Sequence, residues 1–413
     1  MRNILMYLLA VACLFSGSVV KPAMAQAGSA VLTPEEINGE SAILIDAKSG
    51  QILFEKNAHA RLFPASITKI ATGIYAIENG KPDDIVTVSK RARWEEGTRV
   101  YLAEGEQVTL EKLEYGLLMN SGNDAATAIA EHLGGTVEHF ADLMNAYLKE
   151  KVGVEETHFT NASGLHDPDH YTTAADMAKI AQYAMKNEKF REIVATQRLP
   201  WDGLEWKTVV INHNKLLRNY EGATGIKNGF TDQARNTLVG SAKRGDSEFI
   251  AVTMKAGSSN YTYKDVTAML DYAFAHYETK QIASMGQTFT RPVSSGQPDQ
   301  TGDTVSFTAE SDLYATVPIG VEPETEVTAG GQLIVRAGEL SRTYALKKKE
   351  EPRVAAAASG GETQPSSSPS GWRYGILFTW LGLNLFLVMY VIARARKRRR
   401  ERIRHIPRRA NWS

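Results

Sequence analysis

The chain has 413 residues, of which 43% are hydrophobic and 23% are charged, a composition that excludes intrinsic disorder for most of its length. Its formal net charge is zero, but residues 394–413 contribute +9 and residues 1–25 contribute +2, so residues 26–393 carry an excess of about 11 negative charges. Such a body repels nucleic acid, and the single cysteine, Cys13, excludes a disulfide within the chain.

Residues 1–25 have the pattern of an export signal. Arg2 is followed by an apolar run from Ile4 to Phe15 and then by Ala23-Met24-Ala25, whose small residues suit signal peptidase. We expect cleavage after Ala25, which removes Cys13 and leaves a mature chain without a thiol. A lipoprotein anchored through Cys13 is the alternative, although the usual leucine three residues before the cysteine is absent.

The body, residues 26–282, begins with a predicted β-hairpin whose strands lie near 42–46 and 51–55. Further helices are predicted over 110–119, 124–133, 137–151 and 174–187, and the chain then returns to strands, including 225–231. Strands that enclose a helical middle favour an α+β fold over a parallel sheet.

The sequence FPASITK, residues 63–69, lies at the start of a segment with apolar residues at helical spacing. A helix places Ser66 and Lys69 on one face, one turn apart. Backbone amides at a helix start can stabilise an oxyanion near the serine, and a desolvated lysine can take its proton. The alternative is an N-capping serine followed by a surface lysine.

Two later segments carry residues that are unusual for a buried turn or a strand and that therefore suggest a role beyond folding. LLMNSGNDAA, residues 117–126, places Ser121 and Asn123 at a break between two predicted helices. GIKNGFT, residues 225–231, places Lys227 and Gly229 on a predicted strand. A glycine at such a position lets another backbone approach closely.

Residues 287–349 show short alternating patterns separated by turn residues, which predicts a small all-β domain. Residues 350–372 are rich in alanine, serine, glycine and proline, which is typical of a flexible linker. No internal repeat is apparent.

Residues 373–393 are predicted to form a transmembrane helix, because Tyr374 to Ala393 contains no charge and 20 helical residues span about 30 Å. The tail, 394–413, has ten Lys and Arg against one Glu, so the positive-inside rule keeps it in the cytoplasm and places the body outside the membrane. A nucleic-acid-binding arm is the alternative for this tail.

In their order, Ser66-Ile-Thr-Lys69, Ser121-Gly-Asn123 and Lys227-Asn-Gly229 resemble the three motifs of the penicillin-binding, serine-type D-alanyl-D-alanine carboxypeptidases, relatives of the β-lactamases. The resemblance extends to the flanking sequences NASGLHDPDHYTTAADMA and NHNKLL and spans roughly Val31 to the end of the all-β region. It implies a DD-peptidase-like fold, in which helices pack on an antiparallel sheet, with a small all-β domain and a membrane helix behind it.

The resemblance also implies a function and roles for individual residues. Peptidoglycan stem peptides are the expected substrate, β-lactam antibiotics the expected covalent inhibitors, and no cofactor or metal is expected. Ser66 would be the nucleophile, Lys69 its base and Ser121 the proton relay to the leaving amine. Substrate contacts would come from the second and third motifs, namely from Asn123, Lys227, Asn228, Gly229, Phe230 and Thr231, and the amides of Ser66 and Phe230 would form the oxyanion hole.

One residue departs from the family pattern, because Asn228 stands where threonine is usual. An asparagine amide can still donate to a carboxylate, but its larger size changes the pocket. Two other functions therefore stay open: a β-lactamase, for which no deacylating glutamate is evident, and a cell-wall-binding relative that has lost activity. A metal site is a further alternative, suggested by His158, His166, His170, Asp167 and Asp169.

Overall fold

The computed structural model describes residues 31–292 and 304–349. The strands are β1 Ser41–Asp46, β2 Ile52–Lys56, β3 Ile85–Thr87, β4 Gln107–Thr109, β5 Arg198–Asp202, β6 Lys207–Ile211, β7 Ala223–Thr231, β8 Arg235–Arg244, β9 Ser247–Ala256, β10 Tyr277–Ala283, β11 Thr288–Pro292, β12 Thr304–Thr308, β13 Leu313–Pro318, β14 Glu324–Val327, β15 Gln332–Ala337, β16 Leu340–Ala345 and β17 Lys347–Lys348.

The α-helices are α1 Lys69–Asn79, α2 Lys90–Arg93, α3 Leu110–Met119, α4 Asn123–Gly134, α5 Val137–Tyr147, α6 Ala174–Ala184, α7 Glu188–Ala195, α8 Leu216–Asn219 and α9 Ser259–His276. Short 3₁₀ turns cover Pro34–Glu36 and Ala65–Thr68, and a π-helical turn covers Leu148–Val152. The helices predicted from periodicity are therefore present, with ends that match at 110–119 and differ by a few residues elsewhere.

A five-stranded antiparallel sheet in the order β2-β1-β9-β8-β7 forms the centre of the body. Strand β1 is buried at all of its residues, because both faces of the sheet are covered. The helical middle packs on one face around a core that includes Ile70, Ile74 and Ile250. Helix α9 covers the other face, where Phe249 and Leu270 are buried. The predicted α+β fold with an antiparallel sheet is confirmed.

Threonine caps fix where the helices of the middle begin. Thr109, Thr136 and Thr173 each accept a hydrogen bond from the amide three residues later. Threonine suits this position because its hydroxyl pairs an amide that has no partner within the helix.

The C-terminal strands form small antiparallel sheets, β11-β12-β17 and β14-β15-β16, around a core of their own that includes Phe307 and Leu333. Strand β10 pairs with β13 from Tyr277 to Ala283, so a sheet crosses the predicted boundary between residues 282 and 287. The two parts are also joined by buried hydroxyls, because Ser49 Oγ lies 2.6 Å from Thr316 Oγ1.

Four predicted segments lie outside the described residues: the signal peptide 1–25, the linker 350–372, the transmembrane helix 373–393 and the tail 394–413. Among residues 31–292 and 304–349, no helix has the length and apolar character needed to cross a bilayer.

Candidate active site

Ser66 lies in the 3₁₀ turn Ala65–Thr68, and the α-helix begins only at Lys69. A 3₁₀ turn has three residues per turn, so residues three apart lie directly above one another. Ala65 has a φ of 52°, in the left-handed region that non-glycine residues rarely adopt. The turn is held from outside, because Thr237 Oγ1 of β8 donates to the carbonyl oxygen of Pro64 at 2.9 Å.

Lys69 is completely buried and its Nζ is surrounded by three oxygen atoms. It lies 3.0 Å from Ser66 Oγ, 2.7 Å from Asn123 Oδ1 and 2.6 Å from the carbonyl oxygen of Ser163. The side chains of Ser66 and Lys69 are therefore in contact, as the sequence predicts, and Lys69 is not a surface lysine. The fixed amine points at the hydroxyl that it would deprotonate.

The second motif enters the site at the start of α4. Asn123 is the first residue of this helix, and its Nδ2 donates to the carbonyl oxygen of Glu96 at 2.5 Å, which fixes the amide orientation. Ser121 is nearly buried, with a φ of 62°, and its Oγ makes no hydrogen bond within the described residues. The left-handed backbone at Ser121 ends α3 and turns the chain into α4.

The third motif lies on β7, the edge strand nearest to the Ser66 turn. A Cβ on Gly229 would stand only 2.7 Å from the amide nitrogen of Ser66, so the two backbones approach as closely as the sequence predicts. Lys227 is buried, and its Nζ donates to the carbonyl oxygen of Asn228 at 2.8 Å.

The other predicted residues of β7 differ in their surroundings. Asn228 Oδ1 is buried and has no hydrogen-bond partner among the described residues, and the side chain borders a cavity of about 500 Å³ that is also lined by Asn120 and His213. The Phe230 side chain is 56% exposed. Thr231 Oγ1 accepts from the amide of Ala234 at 3.0 Å and so closes the turn into β8.

Burial controls the charge of both lysines. Desolvation lowers the pKa of Lys69 well below its ordinary value, and repulsion from Lys227 lowers it further, while Asp124 and Glu95 oppose the shift. Desolvation also lowers the pKa of Lys227 to about 7. Near neutral pH the site can therefore hold an amine that accepts a proton, which exposed lysines cannot provide.

Two residues, Ser163 and His170, support the site without belonging to any of the three motifs. Ser163 accepts from Lys69 through its backbone carbonyl oxygen, a contact that cannot be predicted from the residue type. His170 Nδ1 accepts from the amide of Thr160, so Nε2 carries the proton and donates to Thr68 Oγ1 at 2.9 Å. Burial lowers the pKa of His170 to about 3, which keeps it neutral beneath the Ser66 turn.

The histidines considered as metal ligands have separate partners. His158 Nδ1 contacts the carbonyl oxygen of Asp169, His166 packs edge-on against Phe63, and His170 supports Thr68. Within the described ranges, no group of three His, Cys, Asp or Glu side chains is arranged to hold a metal ion.

Comparison with known proteins gives a consistent result. The sequence profile of the D-alanyl-D-alanine carboxypeptidase family matches residues 27–258, which is more than half of the chain. The chain is 36% identical over 258 residues to the D-alanyl-D-alanine carboxypeptidase DacF of Bacillus subtilis, a match that covers 61% of this chain and 66% of that protein. It is 33% identical over 300 residues to DacA of Escherichia coli, covering 69% of this chain and 72% of that protein.

Solved structures show the same similarity. Penicillin binding protein 5 of Haemophilus influenzae superposes with a TM-score of 0.67 at 27% identity, over 77% of this chain and 98% of that chain. The D-alanyl-D-alanine carboxypeptidase DacD of Francisella tularensis gives a TM-score of 0.64 at 26% identity, over 79% and 100%.

Proposed function

The chain belongs to the D-alanyl-D-alanine carboxypeptidase family of serine hydrolases, and we propose that it removes the terminal D-alanine from peptidoglycan stem peptides through an acyl-enzyme on Ser66. The observation that carries this proposal is the 3.0 Å separation between Ser66 Oγ and the buried Lys69 Nζ. A serine with a neutral amine base can attack an amide carbonyl without a histidine.

Acylation uses the groups that converge at the Ser66 turn. Neutral Lys69 accepts the hydroxyl proton while Ser66 Oγ bonds to the carbonyl carbon between the two terminal D-alanines. The amides of Ser66 and Phe230 bind the developing oxyanion, and the close approach at Gly229 brings these two backbone segments together.

Breakdown of the intermediate releases the terminal D-alanine. The carbon–nitrogen bond breaks, and Ser121 passes a proton to the departing amine, with Lys69 as its source. The free Ser121 hydroxyl suits this role because no described residue engages it. Water then attacks the ester carbonyl and gives its proton to Lys69. Lys69 passes this proton to Ser66 Oγ as the ester bond breaks, so that Ser66 regains its hydroxyl and the shortened peptide leaves with a new carboxyl group.

Substrate position depends on the second and third motifs. Lys227, when protonated, supplies positive potential for the terminal carboxylate. Its pKa of about 7 means that it carries this charge when the pH is below about 7. Asn228 borders the 500 Å³ cavity, and its side-chain amide can donate to the terminal carboxylate. Asn123 orients Lys69 at 2.7 Å and presents its amide to the substrate backbone. Gly229 and Thr231 keep the strand and its turn in place.

The enzyme acts at the outer face of a cell membrane, and the segment 373–393, which carries no charge from Tyr374 onward, anchors it in a single pass with the basic tail in the cytoplasm. The serine, glycine and proline content of 350–372 supports this arrangement, because such a linker holds a folded body away from the bilayer.

The proposal is tested with full-length protein in detergent. Wild-type protein is expected to bind labelled penicillin covalently and to release D-alanine from a pentapeptide, and Ser66→Ala protein to do neither. Ser259→Ala, an exposed serine on α9, is the matched control and keeps both activities. Covalent labelling of Ser66→Ala would rule out the nucleophile, and hydrolysis of penicillin faster than release of D-alanine would identify a β-lactamase.

A further inference from the structure

A second cavity, of about 580 Å³, lies between the central body and the small β domain and shares no lining residue with the candidate active site. It is lined from the body by the β1–β2 turn, α6 and the β8–β9 hairpin, and from the β domain by residues of β13 and β16. The cavity therefore depends on both parts of the molecule.

Four cationic side chains that line this cavity have no acidic partner within 4.0 Å among the described residues: Lys48, Lys186, Lys243 and Arg342. This concentration of positive charge is unusual, because residues 26–393 carry about 11 excess negative charges. Like charges gathered without counterions repel each other. The arrangement is relieved when an anion binds.

The acidic residues of the cavity do not neutralise these cations. Glu248 is buried, and its two oxygens are occupied by Arg191 at 2.9 and 3.1 Å and by Thr224 at 3.0 Å. Asp312 is exposed and uses one oxygen to accept from the amide of Met285 at 2.8 Å. The unpaired lysines and Arg342 therefore leave the cavity with a net positive charge.

Arg342 gives the clearest sign of a missing partner. Its Nε is buried and unpaired within the described residues, and its guanidinium makes no hydrogen bond to any of them. The side chain extends from β16 towards the body, since a Cβ on Gly50 would stand 3.6 Å from Arg342 Nη2. A guanidinium presents a fork of donors that matches phosphate and carboxylate oxygens.

Aromatic rings hold two of the cations in place. Lys48 Nζ lies 4.7 Å from the centre of the Tyr314 ring, and the Arg342 guanidinium lies 5.6 Å from that of Tyr344. The Tyr344 hydroxyl donates to the carbonyl oxygen of Tyr314, which links the two rings. Cations held in this way lose less freedom when a ligand arrives.

From these contacts we propose that the cavity between the body and the β domain binds a multiply charged oxyanion, a ligand that carries two or more phosphate or carboxylate groups. This site is separate from the proposed catalytic function and does not depend on it. Because its cations come from both parts of the molecule, a bound ligand bridges the body and the β domain.

Calorimetric titration of the full-length protein in detergent with pyrophosphate and with citrate tests this site. We expect one saturable site that the double variant Lys243→Gln/Arg342→Gln weakens at least tenfold. Lys264→Gln, an exposed lysine on α9 away from the cavity, is the matched control. Any binding by the basic residues 394–413 is the same in all three proteins and does not affect the comparison.

The two probes distinguish the source of the ligand. Tighter binding of pyrophosphate supports a phosphate-bearing ligand, and tighter binding of citrate supports a polycarboxylate such as an acidic peptide. Circular dichroism and D-alanine release, which the double variant should retain, show that the fold and the active site are intact. The proposal is overturned if neither anion binds at a site that the double variant loses, or if Lys264→Gln weakens binding equally.

Discussion

Lys69 Nζ lies closer to Asn123 Oδ1, at 2.7 Å, than to Ser66 Oγ, at 3.0 Å. Because an amide oxygen only accepts hydrogen bonds, Asn123 engages a proton on Lys69 and leaves the nitrogen lone pair to face Ser66 when the amine is neutral. Asn123 is itself fixed through Glu96. The second motif therefore acts on the base as well as on the substrate.

Asn123→Asp should shift the pH dependence of acylation. A carboxylate beside Lys69 favours the ammonium and raises its pKa, so the rate should fall about 10- to 100-fold at pH 7 and recover at higher pH. The rate of penicillin acylation measured across pH checks this result. Asn123→Ala, which adds no charge, should be slow at every pH, and an unshifted profile in Asn123→Asp contradicts the role given to Asn123.

Lys227 should make substrate binding depend on pH. Desolvation lowers its pKa to about 7, so its positive charge is present below that value and is lost above it. The KM for a peptide with a free terminal carboxylate should therefore rise as the pH increases through about 7. Lys227→Arg keeps its charge and should give a KM that is constant over this range. A wild-type KM that does not change would show that Lys227 does not bind the carboxylate.

Gly229→Ala should disrupt the approach of β7 to the Ser66 turn. The added Cβ would lie 2.6 Å from Thr237 Oγ1 and 2.7 Å from the amide nitrogen of Ser66, so one segment must move. A displacement of about 1 Å at a catalytic centre costs on the order of 100-fold in rate. Penicillin acylation measures the loss. Gly257→Ala, whose Cβ would have its nearest contact at 3.8 Å, is the control and should react normally.

Asn228→Thr should stabilise the protein and improve substrate binding. Asn228 Oδ1 is buried without a partner, which costs on the order of 1 kcal/mol or more, and the smaller threonine removes this atom. Its hydroxyl can donate to the terminal carboxylate, so the KM for D-alanine release should fall. Asn228→Val has the same shape without a hydroxyl. It should share the rise in thermal stability but not the lower KM, and equal KM values would exclude a hydroxyl contact.

Glu114 should destabilise the fold as the pH rises. This side chain is 2% exposed, and burial, with a smaller contribution from Glu111, raises its pKa from 4.5 to about 7. The folded state binds the proton more tightly than the unfolded state, so the contribution of Glu114 to stability is most favourable below pH 4.5 and is lost between about 4.5 and 7. At pH 8, Glu114→Gln should be more stable than wild type by up to about 3 kcal/mol.

Denaturant unfolding at pH 5 and pH 8 measures this difference. The exposed Glu104→Gln is the control and should follow the wild-type curve at both values. If Glu114→Gln loses as much stability as wild type between the two pH values, the carboxyl group is not protonated in the folded protein.

Local patterns predicted much of the fold. The hairpin that the sequence predicts near 42–46 and 51–55 is found at Ser41–Asp46 and Ile52–Lys56, because alternation and turn residues act over short distances. The helix predicted over 110–119 is exact at both ends, since a threonine cap marks its start. The 3₁₀ turn at Ser66 was not predicted, because Thr237 on a distant strand holds it.

The sequence by itself determined the order of the three motifs, the α+β class, the charge of the body and the segment expected to cross the membrane, since each is written in residue type and local spacing. Only the tertiary structure decided that Lys69 is desolvated by its surroundings and faces the carbonyl oxygen of Ser163, 94 residues away along the chain. The same holds for the basic cavity between the two parts of the molecule. Burial and electrostatic repulsion depend on which distant segments the folded chain brings together, and no local pattern records them.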